Sequence, residues 1–136
     1  MSSLYLGLSI LGAVREANQG LAHRIDPCVL CAYDVDCEDI ADLRTARSRN
    51  ALAVSMLDMQ CPWMLHLADG TEPPSWTIAR RLMADGFSGV LVPSFAPGAS
   101  SSDGNLVLWR WSDRPPHQVR VHDPAGRLPR SPASWE

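Results

Sequence analysis

The chain has no lysine: all twelve of its basic residues are arginine. Arginine-only usage accompanies high-GC coding and implies no mechanism. Fifteen acidic residues outweigh those arginines, leaving a formal charge of −3 and a pI near 5.7. A basic stripe of the kind that phosphate backbones require is missing, so direct nucleic-acid binding is not expected. The one loose cluster, Arg44, Arg47 and Arg49, reads as the solvated face of a helix. No run approaches the ~18 apolar residues of a membrane span, and no membrane association is expected. Leu4 to Ala13 is apolar, but it lacks a basic leading segment, and Arg15 and Glu16 follow at once. That pattern argues against a signal peptide and makes the cytoplasm the expected compartment.

Two familiar signatures are also missing. There is no Gly-x-Gly-x-x-Gly segment, so a dinucleotide would not sit in a Rossmann crevice. Cys28 and Cys31 form a Cys-x-x-Cys pair, which raises zinc. Cys37 and Cys61 stand alone, without the second cysteine pair or His pair that a closed zinc site needs. The segment Cys28–Val35 reads as a buried strand, where cysteine behaves as a small hydrophobe. No metal is expected, and a small zinc module is the weakest reading. A structural disulfide is not expected in a reducing compartment.

What is present suits one domain over residues 1–136, with 46% hydrophobic residues to build a core. Leu4 to Leu8 reads as a short strand, Ser9 as a helix N-cap, and Ile10 to about Gln19 as a helix stopped by Gly20. His23 to Pro27 is a turn, and Asp39 to Leu43 is extended chain or a turn. Thr45 caps a helix from Ala46 to about Leu52. Ser55 to Met64 is ambiguous because Pro62 interrupts it. Pro74 or Ser75 opens a helix running from about Trp76 to Ala84, with Trp76, Ala79, Leu82 and Met83 at helical spacing, and Gly86 ends it. Gly89 to Pro93, Asn105 to Trp111 and Gln118 to His122 read as strands. Ala96 to Gly104 is a small, polar loop, and Pro124 to Glu136 is a loosely ordered tail. Strands and helices are interspersed without regular βαβ repeats, which gives an α+β domain with a mixed sheet.

The chemistry is concentrated near the start. Tyr5 lies on the first strand, Ser9 at the mouth of the helix and Glu16 two turns in. Two turns take ~7.2 residues, so Ser9, Ala13 and Glu16 share one side, and Ala13 leaves space there. A strand-to-helix junction of this kind presents a carboxylate beside an aromatic ring.

Tyr5, Ser9, Ala13 and Glu16 at these spacings resemble the RES domain, a family named for its Arg, Glu and Ser positions. Later segments agree in order. They are Ala32-Tyr33-Asp34-Val35-Asp36 with Ala41-Asp42-Leu43, Cys61-Pro62-Trp63, Glu72-Pro73-Pro74-Ser75-Trp76, Gly86 to Ser94, and Asn105-Leu106-Val107-Leu108-Trp109. The ending His122 to Pro129 is similar to the ParT-type branch. Each motif is short, and their shared order over nearly the whole chain carries the match. One family feature has no counterpart: an arginine upstream of the position of Tyr5, where only Met1 to Leu4 stand.

The resemblance implies an ADP-ribosyltransferase-like fold and a toxin that consumes NAD as a substrate by cleaving its nicotinamide–ribose bond. It implies Glu16 as the catalytic carboxylate. Tyr5, Ser9, Ser94 and Asn105 are the implied NAD-binding residues, with Asn105 mainly pinning the loop before it. The Ala96–Gly104 loop closes over the substrate or is ordinary surface, and both readings stand. The outcome is ADP-ribosyl transfer to a cellular protein, or phosphorolysis or hydrolysis that depletes NAD. The implied partner is a cognate antitoxin, Xre-like or ParS-like. The missing arginine supports another reading, a catalytically inactive form that only binds its antitoxin. Arg15, Arg80 or Arg81 would replace that arginine only by facing the cleft.

Overall fold

In a computed structural model the chain is described at residues 3–17, 29–61, 63–96, 98–100 and 102–128, with backbone alone at 17, 63 and 64. In chain order the elements are β1 (Leu4–Gly7), α1 (Ile10–Ala17), β2 (Tyr33–Cys37), β3 (Ile40–Asp42), α2 (Ala46–Ala51) and α3 (Met56–Met59). They continue with α4 (Trp63–Ala68), α5 (Pro74–Ala84), β4 (Gly89–Pro93), β5 (Gly104–Leu108) and β6 (His117–Val121). Four strands form one sheet in the order β1-β5-β4-β3. Its β1/β5 and β5/β4 pairs are antiparallel and its β3/β4 pair is parallel. Interspersed helices and a mixed sheet make this the α+β class that the sequence predicts.

Register decides which side chains meet. Tyr5 lies opposite Val107, which lies opposite Val90; Gly7 lies opposite Asn105, which lies opposite Val92. Strand side chains alternate with period two, so these residues share one face of the sheet. Over that face lies a core of Ala41, Leu43, Val54, Leu82 and Val90, with Ile78, Phe87 and Trp109 packed against it. Leu106 and Leu108 project from the other face and are also buried.

The helix boundaries follow local chemistry. Ser9 caps α1 as expected, its Oγ accepting the Gly12 N–H at 2.9 Å. Thr45 caps α2 by accepting the Ser48 N–H at 3.2 Å. Pro74 opens α5, where its missing N–H costs nothing. Gly86 ends that helix with φ at 96°, a conformation that L side chains resist. Gly7 matters for another reason: a Cβ there would lie 2.9 Å from the Ala13 Cα and Cβ, so α1 rests on β1 only because that position is bare.

Some expectations are corrected. The strand foreseen over Cys28–Val35 is β2, begins at Tyr33 and is not buried; Cys28 itself lies outside the described residues. Tyr-Asp-Val-Asp-Cys alternates apolar with acidic side chains, and among the described residues the only strand partner of β2 is β6, so Tyr33 and Val35 stay 41% and 40% exposed. The strand foreseen to Trp111 ends at Leu108, because the Trp109 and Arg110 amides both turn to the Ser88 carbonyl, at 3.0 and 3.2 Å. The ambiguous stretch resolves into α3 and the start of α4, with Pro62 outside the described residues. The expected helix end at Gly20, the turn from His23 to Pro27 and the tail beyond Leu128 also lie outside them. Before that tail, the Asp123 carboxylate accepts the Arg127 and Leu128 amides at 2.9 and 3.1 Å.

Candidate functional site

Glu16 reaches from the second turn of α1 toward the end of the sheet where β4 stops and β5 begins. Pairing of Val92 with Asn105 and Pro93 with Gly104 brings Ser94 and Asn105 together there. Both donate to the same carboxylate oxygen. The Ser94 hydroxyl lies 2.6 Å from Glu16 Oε1, and the Asn105 Nδ2 lies 2.8 Å from it. Among the described residues no hydrogen bond falls on Oε2, so one oxygen is fixed and the other is available to a ligand.

Asn105 is 1% exposed, and with its amide nitrogen on Glu16 its Oδ1 has no hydrogen-bond partner. An orphaned buried acceptor costs about 1–3 kcal/mol until a ligand or water supplies a donor. The Tyr5 hydroxyl lies beside the Asn105 amide. Burial of that hydroxyl, reinforced by the negative charge of Glu16 and opposed by the Asn105 hydrogen bond, pushes its pKa up to about 12. Tyr5 is therefore a neutral hydrogen-bonding phenol at physiological pH. The residue as a whole is 54% exposed and offers surface for stacking.

Tyr5 and Glu16 border a cavity of about 440 Å³, lined also by Trp76, Phe95, Val107 and Trp109 among others, while Ser94 and Asn105 hold Glu16 without lining it. Its size falls within the ~300–1,000 Å³ of small-molecule sites, and its character is theirs too: apolar walls with few polar groups. Trp76 and Ser75 enter from the first turn of α5, where the Ser75 Oγ accepts from the Cys61 Sγ at 3.4 Å. The site thus combines a pinned carboxylate, a neutral phenol, an unsatisfied amide oxygen and aromatic walls.

Four of the five residues singled out in the sequence, Tyr5, Glu16, Ser94 and Asn105, are brought together. Ser9 is not among them. Its hydroxyl is taken by the Gly12 amide and by Asp103 Oδ1, the latter at 2.9 Å. The three arginines considered as substitutes are also engaged elsewhere. Arg15 pairs with Asp103 Oδ2 at 3.2 Å, Arg80 pairs with Glu72, and Arg81 donates to the Leu52 and Ala53 carbonyls. None of them lines the described cavity. Asp103 was not foreseen, because its partners Ser9 and Arg15 lie 94 and 88 positions away. Trp76 was legible as an apolar helix position and as part of a family-like segment, whereas Phe95 was not singled out.

Among the described residues no group of three or more His, Cys, Asp or Glu is placed to hold a metal ion. No helix among them is long and apolar enough to cross a membrane. A family model described as RES domain matches residues 1–131. No curated protein and no solved structure matches the chain significantly.

Proposed function

The chain belongs to the RES-domain family, and from the carboxylate pinned beside its cavity we propose that it consumes NAD by cleaving the nicotinamide–ribose bond. The observation that carries this reading is the double hydrogen bond to Glu16 Oε1 from Ser94 and Asn105. It holds a negative charge in one place without covering its second oxygen.

The chemistry needs that arrangement. As the bond between ribose C1′ and the pyridinium nitrogen breaks, the electron pair leaves with nicotinamide and the ribose becomes oxocarbenium-like. A fixed carboxylate against that developing cation requires no reorganisation at the moment of reaction, which is usually the largest catalytic effect. Glu16 Oε2 faces the ribose and accepts its 2′-hydroxyl. Tyr5 stacks on the nicotinamide end, and Asn105, buried at 1% exposure, acts through Glu16 by fixing its carboxylate. Ser94 holds Glu16 and contacts the ribose only by leaving it. A nucleophile then donates a pair to C1′ and gives up its proton.

A protein side chain as that nucleophile gives ADP-ribosyl transfer, the outcome we favour from the ParT-like ending. Phosphate gives ADP-ribose 1″-phosphate and water gives ADP-ribose. In the cell this activity makes the protein a toxin of the cytoplasm, held in check by an Xre-like or ParS-like antitoxin that occludes the cavity. The engagement of Arg15, Arg80 and Arg81 away from the cavity favours a second reading, a chain that binds its antitoxin and leaves NAD intact.

Incubation of the purified protein with NAD labelled in its adenylate half, with and without cell extract, separates these readings. Nicotinamide release with a labelled protein band supports transfer. Release with labelled ADP-ribose or its phosphate moves the assignment to depletion. Intact NAD, with the antitoxin still bound, leaves the second reading standing.

A further inference from the structure

Asp103 does not line the cavity, yet its carboxylate accepts four hydrogen bonds beside it. It is 9% exposed. Its Oδ1 accepts the Ser9 hydroxyl at 2.9 Å, and its Oδ2 accepts the Ser100 amide at 2.9 Å, the Ser100 hydroxyl at 3.3 Å and Arg15 Nη1 at 3.2 Å. Its backbone carbonyl takes the Ser94 amide at 3.3 Å. One residue thus grips both the helix that carries Glu16 and the strand end that carries Ser94.

We infer that Asp103 is a positioning residue for the Glu16 carboxylate, acting through α1 and Ser94 and never touching substrate. The inference rests on the proposed NAD chemistry for its kinetic consequence, although the clasp itself does not. The loop it closes begins at Ser94 and ends at Asn105, the two donors to Glu16. Ser9 and Arg15 sit at opposite ends of the first two turns of α1, so a carboxylate holding both fixes the axis and roll of the helix. Arg15 immediately precedes Glu16, and the loop passes close to it: a Cβ on Gly98 would lie 3.8 Å from the Arg15 Nε. On the other side α1 rests on bare Gly7 through Ala13. With the clasp loosened, α1 pivots on that contact, and the distances of 2.6 and 2.8 Å at Oε1 lengthen. Small misplacements of a catalytic group cost rate far more than they cost binding.

The test compares wild type, Asp103→Asn, Asp103→Glu and the exposed control Asp113→Asn in two measurements: steady-state nicotinamide release, and amide hydrogen exchange across residues 10–17 and 94–96. The expectation for Asp103→Asn is a fall in kcat of about tenfold or more, with KM for NAD within about twofold. Exchange is faster at both segments and unchanged in α5. Asp103→Glu recovers part of the rate, and Asp113→Asn matches wild type. Unchanged kcat, or a loss confined to KM or to melting temperature, overturns the inference. Should the wild type release no nicotinamide, the NAD reading fails and exchange alone decides: acceleration at 10–17 and 94–96 upholds the clasp, and unaltered exchange there overturns it.

Discussion

Asn105 donates its amide nitrogen to Glu16 Oε1 at 2.8 Å from a position 1% exposed to solvent. That donor is shut away from water, and exchanging its polarity tests the contact sharply. Asp at position 105 faces one carboxylate with another, and two such groups at hydrogen-bond distance do not both ionise. Asn105→Asp is expected to lower turnover at pH 7 by about 10²-fold or more, in the range seen when a preorganised polar contact is lost. Asn105→Ala removes the orphaned Oδ1 together with the donor, so it destabilises the fold less than Asn105→Asp. Rates and melting temperatures of the two variants side by side check both statements.

The seat of α1 on β1 gives a second prediction. Gly7→Ala drives a methyl group against the Ala13 backbone, which cannot rotate out of the way. A destabilisation of about 1–3 kcal/mol is expected from such overpacking, together with lower turnover, because the displaced helix carries Glu16. Denaturant unfolding of Gly7→Ala measures the first effect. A stability equal to wild type contradicts the close approach.

Much of this arrangement was readable in the chain, and the part that was not shares one cause. Ser9, Thr45, Pro74 and Gly86 act on the backbone within a few residues, so the ends of α1, α2 and α5 could be placed from local chemistry. Glu16, Ser94 and Asn105 were picked out by their order and resemblance, but nothing local showed that they would converge. Their meeting depends on the β4/β5 register. Ser9 could be read as a cap or as a ligand contact, and only its distant partner Asp103 shows where its hydroxyl is committed. β2 was misjudged as buried because burial depends on what covers a strand, and Tyr33 and Val35 look the same in sequence whether covered or bare.

Tyr5 offers a spectroscopic test that needs no substrate. Its pKa in the fold, about 12, lies above the ordinary value of 10.0. A raised acid pKa means the fold favours the neutral phenol. That contribution is fully present below pH ~10 and is lost as pH rises toward 12. In an alkaline titration at 295 nm, the difference between wild type and Tyr5→Phe is expected to show no tyrosinate step until above pH ~11. A step near pH 10 means that the hydroxyl is neither buried nor close to the Glu16 charge.

Asp103 makes the opposite prediction on the acid side. The Ser100 amide first, and the Ser9 hydroxyl next, hold its carboxyl below the usual carboxylate range. A depressed pKa contributes stability that is present above the unfolded value, ~3.9, and is lost as pH falls through the folded value. The gap in melting temperature between wild type and Asp103→Asn is therefore expected to stay constant from pH 7 to 5 and to narrow below pH ~4. A gap that closes between pH 7 and 5 contradicts the clasp.

NAD cleavage by this site depends on the Glu16 charge, and Glu16→Gln removes that charge alone. Glutamine keeps an oxygen for the Ser94 and Asn105 donors, so the fold is retained while the charge disappears. The decisive measurement is nicotinamide release from NAD by wild type and Glu16→Gln at matched concentration, with melting temperature as the control for folding. A loss of about 10²–10³-fold or more is predicted, with the melting temperature preserved. Release at the wild-type rate by a folded Glu16→Gln protein contradicts the account.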